Sequence, residues 1–67
     1  MRKYRYTGET FKIGGYKIEK GTLLLVKEVY EGFYGTWFCL DNKPIRINID
    51  KYGKDNFVMV EGIKKWL

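Results

Sequence analysis

The chain contains no alanine, serine, glutamine or histidine, and only one cysteine and one proline. Without serine or histidine there is no Ser-His-Asp triad and no Cys-His pair, so Cys39 has no partner base. Its place between Phe38 and Leu40 marks it as a small packing side chain. The missing histidines and the single thiol remove the usual zinc donors, and no acidic spacing resembles a calcium loop, so neither a metal nor a cofactor is expected. A lone cysteine cannot close an internal disulfide, and no apolar run reaches the ~18 residues of a membrane span or forms a leader, which points to a reducing, cytoplasmic setting away from membranes. The glycines of GG and GFYG lack the strand, loop and helix context of a phosphate loop and read as turns. The chain is therefore not expected to be an enzyme.

What is present is aromatic and basic. Sixty-seven residues are read as one domain, 1–67. A domain this small buries only ~60% of the surface of its unfolded chain. Six tyrosines, four phenylalanines and two tryptophans supply the large buried area per residue that such a core requires. Thirteen lysines and arginines against eight acids leave a net charge of +5, which favours a polyanionic partner. Much of this charge alternates with acid, as in KIEK and VKEV, in the manner of a solvated strand face. The abundance of Lys, Ile, Tyr, Asn, Phe and Met fits an AT-rich genome such as that of a low-GC bacterium or its phage.

Period-two alternation places five strands. Arg2 to Tyr6 sets Tyr4 and Tyr6 on one face and Lys3 and Arg5 on the other. FKIGGYKI reads as two short arms about Gly14-Gly15, an excursion with Lys12 and Lys17 outward. Thr22 to Tyr30 and Thr36 to Leu40 form a hairpin about a loop at Glu31 to Gly35. Both faces of its first arm begin apolar and turn polar at Lys27 and Glu28. After a turn at Asp41-Asn42-Lys43, Pro44 opens a strand with Ile45, Ile47 and Ile49 inward and Arg46, Asn48 and Asp50 outward. DKYGKDN reads as a turn or a single 3₁₀ turn before the last strand at Phe57 to Val60, and residues 62–67 as a short C-terminal extension, helical turn or strand.

This order resembles a Src-homology-3-like barrel. KGTLLLV is similar to the lysine-glycine approach to that fold's second strand, FKIGGYKIEK takes the place of its long first loop, and DKYGKDN that of its 3₁₀ turn. The resemblance covers nearly the whole chain and extends to small barrels of this class found among phage and prophage open reading frames. It implies an all-β, five-stranded SH3-like barrel. It also implies an aromatic groove drawing on Trp37 and Tyr52, with Tyr34 and Tyr16 as neighbours. The chain has TGETFKIGGYKIEK in place of an acidic first loop and a lone Trp37 in place of a tryptophan pair, so recognition of proline-rich peptides is not expected.

Two constellations are candidates for function. Lys3, Arg5, Lys12, Lys17 and Arg46 share the outward parity of their segments and could line one basic face for nucleic acid, with aromatics as stacking planes. Tyr16, Phe33, Tyr34, Trp37 and Tyr52 are the alternative, an aromatic surface for a host protein, in the manner of a phage regulator or inhibitor. For each set the plain alternative is solubilising charge or ordinary core. The expected function is a non-catalytic binding module, with nucleic acid the favoured partner. Monomer or weak homodimer is expected, the latter if Leu23 and Leu25 stay uncovered by Trp66.

Overall fold

The computed structural model describes residues 2–61. Seven strands follow one another: β1 (Arg2–Tyr6), β2 (Phe11–Ile13), β3 (Tyr16–Ile18), β4 (Leu23–Gly32), β5 (Gly35–Leu40), β6 (Arg46–Asn48) and β7 (Phe57–Glu61). A 3₁₀ turn at Lys54–Asn56 precedes the last strand, and no α-helix occurs among the described residues. Antiparallel pairing orders five of the strands as β6-β5-β4-β1-β7, while β2 and β3 pair only with each other. The expected closed barrel is corrected here. The five-stranded sheet is open, because β6 and β7 are its edges and do not pair. The physical reason is the brevity of β6. Pro44 lies in a bend outside the strand, pairing ends at Asn48, and an irregular stretch carries the chain from there to β7.

Each face of the sheet follows from alternation, with two interruptions, one in the β1–β7 pairing between Lys3 and Tyr4 and one in β4. Tyr4 and Tyr6 of β1 turn inward, the Tyr4 ring 4.5 Å from that of Phe38. In β4, Leu24 and Val26 are buried, but the register shifts between Val26 and Glu28, so Lys27 is an extra residue with no partner in β5. Beyond this bulge the parity inverts. Val29 faces buried Phe38, and Glu28 and Tyr30 pair with Cys39 and Trp37 on the outer face. The inner face of β4 therefore passes from even-numbered to odd-numbered residues at Lys27. The hairpin is also tighter than expected, since Gly32 pairs with Gly35 and only Phe33 and Tyr34 form the tip.

The core comprises Tyr6, Ile18, Leu24, Val26, Phe38, Leu40, Ile47, Ile49 and Phe57, all buried. Phe57 touches both Tyr6 and Phe38, at 5.1 and 5.6 Å between centroids, linking β7 to the middle of the sheet. The β2–β3 hairpin lies over the inner face of the sheet. Ile18 is fully buried, and Phe11 meets Tyr6 edge-on at 5.2 Å and stacks on Tyr52 at 3.7 Å. The buried Tyr6 hydroxyl donates to the Glu9 carbonyl, so its polar end is satisfied. Burial, reinforced by Glu9 and Tyr52, raises its pKa above the ordinary tyrosine value. Leu23 and Val58 remain exposed on the outer face, and the expected cover from Trp66 and the extension 62–67 lies outside the described residues.

Candidate contact surface

Two rows of side chains cross the outer face of β4, β5 and β6. Glu28, Cys39 and Arg46 align in register, and one pleat further on come Tyr30, Trp37 and Asn48. All six point away from the core, because their strand neighbours Val29, Phe38 and Ile47 point into it. The Arg46 guanidinium sits 5.7 Å from the centroid of Trp37, a cation–π contact between the rows. Beyond Tyr30 and Trp37 lies the hairpin tip, where Phe33 is 94% and Tyr34 78% exposed. Their rings meet edge to face at 5.1 Å.

The tip is held from behind by the end of β6. Asn48 Nδ2 donates to the Tyr34 carbonyl at 3.0 Å, and the Thr36 amide donates to Asp50 Oδ2 at 2.9 Å. Asp50 is in turn tied to Asn48, its amide donating to Asn48 Oδ1 at 3.1 Å. Gly35 adopts φ +125°, and the space a Cβ would fill is taken by the Asp50 carboxylate, so glycine is strongly favoured there. Sequence reasoning placed Asn48 and Asp50 outward as surface polar residues and missed this clamp. Their spacing of two on one strand face was the available signal.

The five basic residues expected to form one face are not gathered into one. Lys12 and Lys17 are cross-strand partners on the side of the β2–β3 hairpin opposite its apolar face, and therefore on the far side of the molecule from the outer sheet face. Lys17 there approaches Glu19 at 3.8 Å. Lys3 and Arg5 are on the outer face of β1, opposite Leu25 and Leu23. Three inter-strand steps separate β1 from β6. At about 4.8 Å per step, Arg5 and Arg46 are roughly 14 Å apart across the sheet before any offset along it is added.

The aromatic set is likewise divided. Phe33, Tyr34 and Trp37 share the outer face and tip with Tyr30. Tyr52 is on the core side, stacked on Phe11 and lining a groove of about 390 Å³ with Tyr6 and Asn56. Tyr16 belongs to β3, with the Lys43 ammonium 5.9 Å from its ring centroid. Trp37 and Tyr52 therefore do not form one groove, because the parity of β5 directs Trp37 away from the side on which Tyr52 packs. Cys39 is half-buried on the outer face. Among the described residues no three His, Cys, Asp or Glu side chains gather to hold a metal ion, and no helix is long and apolar enough to cross a membrane. Comparison of the chain with protein-family models, curated proteins and solved structures finds no match.

Proposed function

We propose that this protein is a non-catalytic binding module of SH3-like architecture that engages a partner protein through the β4–β5 tip. The architectural reading is supported by the strand order β6-β5-β4-β1-β7, with the excursion between the sheet's first two strands and the 3₁₀ turn before its last. The observation that carries the functional reading is the tip itself, two large rings exposed to solvent on a backbone fixed by Asn48 and Asp50. Exposed aromatics on a pre-ordered backbone lose little freedom on docking, which is how a few residues come to dominate an interface. A protein partner accounts for the tip better than nucleic acid does, since of the basic residues expected to carry a polyanion Lys12 and Lys17 lie on the opposite side of the fold and Lys3 and Arg5 lie three strands away from Arg46.

The test is capture from a bacterial lysate, with and without nuclease, comparing the natural chain with Phe33→Ala. A nuclease-resistant protein partner should be retained by the former. Its affinity should fall about 30-fold or more with Phe33→Ala, as for a hot-spot residue. Captured material that disappears with nuclease, or a partner indifferent to Phe33, would overturn the assignment.

A further inference from the structure

A separate groove of about 270 Å³ opens where the β4 bulge meets the turn between β5 and β6. Lys27, Lys43 and Arg46 stand around it with Glu28, and Cys39 is part of its lining. The way these cations are held is informative. Arg46 rests over Trp37 and Lys43 over Tyr16, both at cation–π distance, and none of the three pairs with a carboxylate among the described residues. An aromatic ring positions a cation without occupying its N–H groups, so the donors remain available. Lys27 is set here by the bulge, which removes it from strand pairing.

We propose that this groove binds a phosphate monoester dianion, with Lys27, Lys43 and Arg46 as its ligands. Three cations against one carboxylate leave two positive charges, matched to a dianion. One guanidinium and two ammonium groups in the lining of a single groove offer more N–H donors than a planar carboxylate can use, since one arginine satisfies a carboxylate alone, and so suit a tetrahedral oxyanion better. The site uses different residues from the tip, and its occupancy does not depend on the partner proposed above.

Cys39, the only cysteine, reports on the groove directly. Its alkylation by iodoacetate, an anion, is to be compared with that by neutral iodoacetamide, in the folded chain and in urea. The iodoacetate-to-iodoacetamide rate ratio should be about two- to fivefold higher in the folded chain, the range expected of exposed charge interactions. It should fall toward the unfolded value in Lys43→Gln and in Arg46→Gln. Inorganic phosphate should protect Cys39 saturably, beyond sodium chloride of equal ionic strength. Stronger protection by a nucleoside 5′-monophosphate than by O-phosphoserine would identify the source as a nucleotide, and the reverse order a phosphorylated side chain; either supports the site. Should Arg46→Gln fail to fold, Lys27→Gln, at an exposed position, and Lys43→Gln carry the same test. Equal ratios in folded and unfolded chains, or no protection beyond chloride, would overturn the proposal.

Discussion

Two of the hairpins in this fold, β2–β3 and β4–β5, close on two-residue tips and put those tips to opposite uses. In β2–β3 the tip is Gly14-Gly15, both at positive φ, and the strands below it lay Phe11, Ile13 and Ile18 against the core. In β4–β5 the glycines flank the tip as Gly32 and Gly35, and the tip carries Phe33 and Tyr34 out into solvent. The first hairpin is a lid on the core. The second displays bulky side chains that the core does not use, at positions where small polar residues would make an equally good turn. The difference separates aromatics that a small domain needs for folding from those left over for recognition.

The largest expected effect breaks the comparison if it fails. Ile18→Ala, in the lid, should destabilise the protein by about 2 to 5 kcal/mol in urea titration, whereas Phe33→Ala should change stability by no more than about 0.5 kcal/mol. Equal losses would mean that the tip is structural. Next come the glycines. Gly35→Ala should cost roughly 3 kcal/mol, from strained backbone and from displacement of the Asp50 carboxylate that accepts from Thr36. Gly15→Ala, at φ +83° with nothing within 4 Å of the added methyl, should cost only about 1 kcal/mol. Thermal unfolding of the two variants gives the ranking.

The smallest effect concerns the base of the lid, where the Tyr6 hydroxyl donates to Glu9. Its folded pKa is raised above the ordinary value of 10.0, so the unfolded chain loses this proton first as pH rises. This contribution is fully present below pH 10.0 and is lost as pH climbs from there through the folded pKa. In Tyr6→Phe the decline attributable to this group should vanish from a stability profile measured between neutral and alkaline pH.

Where one side of a strand is apolar throughout, sequence alone suffices. Tyr4 with Tyr6, and Ile47 with Ile49, are inward as alternation requires, and the Gly14-Gly15 turn is where the glycine pair places it. Reading fails where an extra residue changes the count. Nothing about Lys27 as a residue type announces a bulge, although the spacing of Leu24, Val26 and Val29 fits a single inner face only with one residue skipped. It fails again where function requires residues from several strands to meet. Parity correctly sent Lys3, Lys12 and Arg46 outward, but outward from a lid and outward from the sheet beneath it are opposite directions. The groove cations Lys27 and Lys43 were missed for a related reason, since one belongs to a bulge and the other to a turn, where period two has no meaning.

The bulge at Lys27 acts as a phase shifter within β4. Side-chain direction reverses with every residue, so an extra residue rotates the distal half of the strand by half a period relative to the proximal half. Upstream, odd-numbered residues such as Leu23 and Leu25 face out, and downstream the even-numbered Glu28 and Tyr30 do so. With the phase unshifted, Tyr30 would share the side of Val26, and Val29 would lie beside Trp37. The outer aromatic pair, and the orientation of the tip beyond it, are thus governed by the count of residues from Lys27 to the tip, whereas length changes before Tyr4 or after Asp50 leave that count untouched.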